Sequence, residues 1–215
     1  MLADSCLIQA HEESLQIAVT EVEKYALSRM HGGQEWVVSG NLIGAKFTHL
    51  SARPANNGLV DPNLHSHVIF INATQRPDGL WRALDSHELY RSQQYGSAVY
   101  LSELAHRVQE LGYRIEYTGA KLNAWELAGY TQEHIKAFSN RSADMDAKMA
   151  EWGATSARAA QKAAIATRNP KSDQTESQLK TQWSQRAAAL GIDAAHMKLE
   201  AIRHGPIQHL ASHSR

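Results

Sequence analysis

The spacing of apolar residues predicts alternating helices and strands along this chain. From Leu7 to Tyr25, apolar side chains recur at helical spacing, which predicts a helix over residues 4–29 capped by Asp4 or Ser5. The same spacing predicts further helices over residues 90–111, 131–152 and 176–190. Short β-branched and aromatic runs predict strands over residues 35–38, 42–47, 64–73, 80–83, 113–118 and 122–127.

Turn signals between these strands predict antiparallel hairpins. Arg76-Pro77-Asp78-Gly79 separates two strand-like runs and has the composition of a tight hairpin turn. Hairpins of this kind bury one sheet face against helices in α+β folds. We therefore predict an α+β fold in which an antiparallel sheet carries helices on one face.

Two histidines lie two positions apart at the start of a β-branched run, in Asp61-Pro62-Asn63-Leu64-His65-Ser66-His67. Side chains at such positions of a strand point to the same face. His49 follows the neighbouring predicted strand, so three imidazoles could meet at a metal ion. HxH pairs also arise by chance in a chain with 12 histidines, and spacing alone leaves both interpretations open. An all-histidine site favours Zn²⁺, Mn²⁺ or Ni²⁺ over ions that prefer oxygen ligands.

Composition narrows the function classes without selecting one. Lys and Arg number 22 and Asp and Glu number 22, so any DNA-binding surface would have to be local. The single cysteine, Cys6, excludes an internal disulfide and fits a reducing cytoplasm. The longest apolar run, 68–71, is too short to cross a bilayer, and no signal-peptide pattern is present. We expect a cytoplasmic protein without membrane insertion.

Three motifs follow one another around the histidines. They are Phe47-Thr48-His49-Leu50-Ser51-Ala52-Arg53, the HxH segment from Asp61 to His67, and Asp78-Gly79-Leu80-Trp81-Arg82-Ala83-Leu84. In order and spacing they resemble conjugative plasmid relaxases of the TrwC/TraI type, the MobF relaxases. Later segments, including Val99-Tyr100-Leu101-Ser102-Glu103-Leu104-Ala105 and Phe138-Ser139-Asn140-Arg141-Ser142, are similar as well. The resemblance extends over residues 8–195 and is far more specific than an HxH pair.

The resemblance implies the relaxase fold, which is HUH-endonuclease-like. That fold has a five-stranded antiparallel sheet with helices behind it, followed by a C-terminal helical clamp over single-stranded DNA. On this basis we assign residues 1–130 to a relaxase core with a three-histidine site and residues 131–195 to the C-terminal helical part. Residues 196–215 are expected to form a tail.

The activity implied by the resemblance is metal-dependent, site- and strand-specific nicking of DNA at a plasmid transfer origin. In this family a tyrosine hydroxyl attacks the scissile phosphate and forms a phosphotyrosine intermediate, while the metal ion stabilises the developing charge. By position, His49, His65 and His67 match the three ligands of the family. The cofactor is then a divalent metal ion, Mg²⁺, Mn²⁺, Zn²⁺ or Ni²⁺.

Three further residues are candidate DNA contacts. Arg53 matches a family arginine and could contact phosphate; the alternative is a loop arginine that pairs with Asp61. Trp81 and Arg82 follow the predicted hairpin turn, where an indole either stacks on an unpaired base or packs against the protein. The expected partner is single-stranded DNA at a plasmid transfer origin, in the cytoplasm of a bacterium.

The nucleophile is where this sequence departs from the family pattern. Family tyrosines lie near the N-terminus, further before the HxH motif than the 64 residues that precede His65 here. Tyr25 is the only tyrosine before that motif, and we interpret it as a helix packing residue. We therefore expect a truncated relaxase domain with no catalytic tyrosine, inactive alone, which would act with a separately encoded N-terminal segment or other conjugation proteins.

Two other functions remain open on the sequence. The chain could be a non-catalytic remnant that binds single-stranded DNA or a protein partner, in which case His65 would matter little. It could also be an unrelated metal-dependent phosphodiesterase that uses a metal-bound water as nucleophile. The second alternative lacks an obvious general base.

Overall fold

The computed structural model of the chain describes residues 4–118 and 124–205. Helices and paired strands occur together in these ranges, so the predicted α+β class is confirmed. The helices are α1 (Ser5–Glu23), α2 (Ser86–Arg91), α3 (Gln93–Glu110), α4 (Gln132–Ala137), α5 (Asn140–Glu151), α6 (Ala157–Ala166), α7 (Glu176–Ala189) and α8 (Ala194–His204). The strands are β1 (Leu27–Met30), β2 (Glu35–Val38), β3 (Gly44–Ser51), β4 (Pro62–Phe70), β5 (Thr74–Gln75), β6 (Trp81–Arg82), β7 (Ile115–Tyr117) and β8 (Trp125–Leu127).

The described strands pair two by two, each with its neighbour in the chain. β1 with β2, β5 with β6 and β7 with β8 are antiparallel, and β3 pairs with β4. A backbone hydrogen bond of 2.9 Å from Ala52 to Asp61 extends the β3–β4 pair into its connecting loop. A single bridge between Leu27 and Asp85 links β1 to the segment after β6. Across residues 4–118 and 124–205 these pairs form four two-stranded sheets and not the one five-stranded sheet that the resemblance implies.

Side-chain caps set several helix starts, among them the predicted cap at Asp4. The side chains of Asp4, Asp85 and Thr131 accept backbone hydrogen bonds in the first turns of α1, α2 and α4. Such caps satisfy N–H groups that have no partner within the helix. The predicted turn before β6 also forms, with a 2.8 Å bond from Gly79 N–H to the Arg76 carbonyl.

Two of the predicted boundaries that differ from the structure change the kind of element that forms. The first helix ends at Glu23 and not at residue 29, because residues 27–30 form β1 and pair with β2 across a turn at His31–Gly33. Residues 194–204 form α8, although the sequence analysis assigns residues 196 onward to a tail. The rest of that expected tail, residues 206–215, lies outside the described residues.

The chain divides into two compact units. The helical unit contains residues 48–66 and 129–197, including α4 to α7. The sheet unit contains residues 4–47, 67–118, 124–128 and 198–205, including α1 to α3. Each unit contains parts of β3, β4 and α8. In the part of the chain that the structure describes, no helix is both long and apolar enough to cross a membrane.

The helical unit is built around Trp183 of α7, which is 1% exposed. Trp183 packs in a cluster with Val60 and Leu179, against which Leu50 and Phe138 also lie. The indole Nε1 donates a 2.7 Å hydrogen bond to the Val60 carbonyl oxygen. Val60, which lies two positions before the start of β4, therefore belongs to the core of this unit.

In the sheet unit α1 packs against α3. Their close approach is set by Gly96 of α3, where a Cβ would lie 2.6 Å from a Val22 methyl group of α1. Buried His11 meets half-buried Tyr100 in the same interface, with Nδ1 of His11 2.7 Å from the phenolic oxygen. Burial raises the pKa of Tyr100 to about 12, so this hydroxyl stays protonated at neutral pH.

Candidate functional site

The pairing of β3 with β4 brings two of the predicted ligand histidines together. The ring centroids of His49 in β3 and His65 in β4 are 5.3 Å apart, with their planes inclined by 39°. Beside them the hydroxyls of Thr48 and Ser66 are hydrogen-bonded at 2.9 Å, on the alternate positions of the same strands. Strand alternation thus places the imidazoles on one face and the hydroxyls on the other.

The His65 ring is oriented by its own strand. Its Nδ1 lies 2.8 Å from the carbonyl oxygen of Asn63, which can only accept a hydrogen bond. In the neutral imidazole, Nδ1 therefore carries the proton and Nε2 carries the lone pair. A carbonyl that fixes one ring nitrogen in this way is the usual second partner of a metal-binding histidine.

His67 lies two positions after His65, so β4 directs both side chains to the same face of the strand. His67 is exposed and belongs to the sheet unit, whereas His49 and His65 belong to the helical unit. Among the residues that the structure describes, no group of three or more His, Cys, Asp or Glu side chains could hold a metal ion. The structure therefore brings together the His49–His65 pair, and the three-histidine ligand set stays a prediction.

Arg53 lies in the loop that connects β3 to β4. Its Nη1 donates a 3.2 Å hydrogen bond to the carbonyl oxygen of Asn169, in the helical unit. The alternative interpretation, that Arg53 pairs with Asp61, is wrong, because Asp61 forms its ion pair with Arg186 at 2.8 Å. Arg53 is thus held within the helical unit, and its role in DNA binding stays a prediction.

Trp81 and Arg82 form β6 in the sheet unit, at the returning side of the hairpin. The Trp81 side chain is 50% exposed, which argues against the packing role and leaves part of the indole open to solvent. Arg82 is exposed as well, and its Nη1 donates a 2.8 Å hydrogen bond to the Trp81 carbonyl oxygen. An open indole beside a guanidinium is a combination that suits nucleic acid.

Comparison with known proteins assigns the chain to a family. The family model described as TrwC relaxase matches residues 2–190. The chain belongs to the TrwC relaxase family. This relaxase chain is 33% identical over 202 residues to the multifunctional conjugation protein TraI of Escherichia coli, and 31% identical over 201 residues to TraI of strain K12. Each match covers 88% of this chain but only 11% of the relative, so the chain spans a small part of those proteins.

Solved structures of the conjugative relaxase TrwC share the fold of this relaxase chain. The metal-free complex of TrwC with OriT DNA has a TM-score of 0.81 at 32% identity, over 88% of this chain and 67% of TrwC. The copper-bound complex with OriT DNA has a TM-score of 0.80 at 32% identity, over 88% and 64% of the two chains. A complex with a 27-mer that comprises the recognition hairpin and the cleavage site has a TM-score of 0.80 at 33% identity, over 88% and 68%. These likenesses confirm the relaxase fold that the motifs implied.

The polar residues that hold the start of β4 are not predicted from the sequence pattern. Asn140 and Arg186 both donate hydrogen bonds to the buried carboxylate of Asp61. Asn140 lies inside one of the motifs that resemble the family. Trp183 lies one helical turn after Leu179, a spacing that predicts a shared apolar helix face. Neither signal indicates contact with residues 60–61, because the partners are far apart in the chain.

Proposed function

We propose that this relaxase chain holds a divalent metal ion with His49, His65 and His67 and binds single-stranded DNA of a plasmid transfer origin. The observation that carries the proposal is the 5.3 Å approach of the His49 and His65 rings, in a chain that belongs to the TrwC relaxase family. His67, two positions after His65 on the same strand face, supplies the third imidazole.

The donor set suits a metal ion of intermediate softness. Neutral imidazole nitrogens bind Zn²⁺, Mn²⁺ or Ni²⁺ more readily than Mg²⁺, although Mg²⁺ stays among the candidates. The Asn63 carbonyl supports the role of His65, because it favours the tautomer whose Nε2 binds metal. When bound, such an ion polarises a phosphodiester and stabilises the negative charge that develops on it.

The DNA contacts that we propose are polar in one unit and partly aromatic in the other. In the helical unit, Arg53 would contact a phosphate near the histidine-bearing strands. In the sheet unit, the exposed indole of Trp81 would stack on an unpaired base, with Arg82 beside it to contact the backbone. These contacts would hold the DNA strand while the metal ion acts on it.

We assign the nucleophilic hydroxyl to no residue of the printed sequence. Tyr25 packs edge-on against Tyr95, with ring centroids 5.9 Å apart, which fits a packing role. A tyrosine from another segment, upstream or separately encoded, would attack the phosphate. We place this activity in the bacterial cytoplasm, which suits a chain whose single cysteine, Cys6, is unpaired and exposed.

The first test is thermal melting with and without Mn²⁺ or Zn²⁺. Metal at a hundredfold over its dissociation constant stabilises a formed site by about 2.7 kcal/mol, which raises the Tm of a chain this size by roughly 5–10 °C. The double variant His65→Ala/His67→Ala should lose this shift. The matched control is His87→Ala, an exposed histidine of α2, which should keep it. An equal shift in all three proteins would rule out the proposed site.

The second test separates a relaxase from a binding remnant. A labelled oligonucleotide that carries a transfer origin is mixed with the chain, with or without a tyrosine-bearing relaxase segment. A covalent protein–DNA adduct that needs the added segment, metal and His65 supports the relaxase. Salt-sensitive DNA binding that is indifferent to His65, with no adduct, would instead support the non-catalytic alternative.

A further inference from the structure

The strand that carries His65 begins at a buried carboxylate. Asp61 immediately precedes β4 and is 4% exposed. Its Oδ2 accepts a 2.7 Å hydrogen bond from the backbone N–H of Asn140, and its Oδ1 accepts a 3.0 Å bond from the Asn140 side chain. Arg186 of α7 donates a third bond, from Nη2 to Oδ1, at 2.8 Å. We call Asp61, Asn140 and Arg186 the Asp61 cluster.

Arg186 does more within this cluster than neutralise the carboxylate. The same guanidinium donates to the carbonyl oxygens of Ala137 at 2.9 Å and Val60 at 3.3 Å. It also lies over the Phe138 ring, with its central carbon 4.5 Å from the ring centroid. A lysine could supply the charge but not this planar set of donors. Arg186 therefore fixes the position of residues 60–61 relative to the α4–α5 junction.

The other end of the loop between the histidine strands is held by Asn169, which lies between α6 and α7, and by α5. Asn169 accepts a hydrogen bond from Arg53 and donates one of 3.1 Å to the Pro54 carbonyl oxygen. The backbone N–H of Asn56 donates a 2.7 Å bond to Asp144 of α5. Residues 53–61 are thus attached to the helical unit at several positions along the loop. His49 and His65 each lie within four residues of this loop.

We propose that Asp61 and Arg186 are positioning residues for the candidate metal ligands. The backbone bond from Ala52 N–H to the Asp61 carbonyl ties the cluster to the end of β3, three residues after His49. His65 lies in β4, four residues after Asp61. Loss of the cluster frees the start of β4, and the His49–His65 spacing then varies. This inference rests on the proposed function for its consequence in metal binding, but its structural part stands alone.

The test compares Arg186→Ala with Lys180→Ala. Lys180 is a matched control because it lies in the same helix and forms its ion pair with exposed Glu176 of that helix. Two readouts are measured: the Mn²⁺ dissociation constant by calorimetry, and amide hydrogen exchange of residues 60–65 without metal. We expect Arg186→Ala to weaken Mn²⁺ binding by about tenfold and to speed exchange at residues 60–65 by a similar factor. Lys180→Ala should change neither.

The outcomes distinguish this inference from the proposed function. If the parent binds neither Mn²⁺ nor any of the other candidate ions, the proposed metal site fails, and exchange at residues 60–65 decides the positioning role by itself. Unchanged exchange in Arg186→Ala overturns the inference, and so does unchanged Mn²⁺ affinity in a parent that binds the ion. Arg186→Lys serves if the alanine variant does not fold. This variant keeps the charge but loses the planar donors, and parent-like values for both readouts would likewise overturn the inference.

Discussion

Replacement of Trp183 by alanine tests whether one indole holds the helical unit together. Trp183 is 1% exposed and contacts the buried side chains of Val60 and Leu179. Its Nε1 also donates the 2.7 Å hydrogen bond to the Val60 carbonyl oxygen. Truncation to alanine therefore removes both the largest buried side chain of this cluster and a polar contact to the residue before Asp61.

The magnitude follows from these two contributions. Burial and cavity effects for a large aromatic residue cost about 3–5 kcal/mol. A neutral hydrogen bond contributes about 1 kcal/mol, and the Val60 oxygen keeps a second donor in Arg186, so the carbonyl is not left unsatisfied. We expect Trp183→Ala to cost about 4 kcal/mol and Trp183→Phe, which keeps a ring, about 2 kcal/mol. Domains of this kind have only about 5–15 kcal/mol in total.

The assay is urea unfolding followed by far-ultraviolet circular dichroism, because this signal does not depend on the removed indole. Trp152→Ala is the control: this tryptophan directly follows α5, is 41% exposed and has Lys148 Nζ 5.6 Å from its ring centroid. It should cost less than about 1 kcal/mol. A loss below about 1 kcal/mol for Trp183→Ala, or equal losses for the two tryptophans, would refute the assignment of Trp183 as the centre of this core.

Two further predictions concern the sheet unit. Burial alone raises the pKa of Asp4, but hydrogen bonds from Lys198 and a backbone N–H outweigh it and hold the pKa below the ordinary value of 3.8. Asp4→Ala should therefore lower the free energy of unfolding by about 0.5–2 kcal/mol above pH 5. This loss should shrink as the pH falls through the lowered pKa of Asp4. A loss that stays constant down to pH 2 would contradict the cap. At Gly112, where φ is +88°, a Cβ would lie 1.9 Å from the Ala201 carbonyl oxygen. Gly79 has a similar φ of +80°, but open space surrounds the position of its Cβ. Gly112→Ala should therefore destabilise the protein by about 1–3 kcal/mol more than Gly79→Ala. Equal Tm values for the two alanine variants would show that this close approach is absent.

The helix caps are features that depend only on residues close together in the chain. The side chains of Asp85 and Thr131 each accept a backbone hydrogen bond in the first turn of their helix. The hairpin turn at residues 76–79 is predicted from its own Arg-Pro-Asp-Gly sequence. In each case the donor and the acceptor lie within three or four residues, so the chain needs no distant partner to form them.

The end of α1 shows where local pattern fails. Apolar spacing continues through Tyr25, yet residues 27–30 form β1, because they pair with β2 and Leu27 bridges to Asp85. Helical periodicity in a short apolar run does not exclude a strand when a partner strand is available. The helix α8 was missed for a related reason: its Ala201 lies buried against Gly112, nearly ninety positions earlier in the chain.

The sequence alone determined the family motifs, the HxH spacing and therefore the shared strand face of His65 and His67. Those properties depend on the order of residues along one strand. Only the tertiary structure decided that His49 lies beside His65, because that contact requires β3 to pair with β4. It also decided that Arg186 pairs with Asp61, 125 positions away. Contacts across such distances depend on how helices and strands pack after they have formed, and no local spacing encodes that packing.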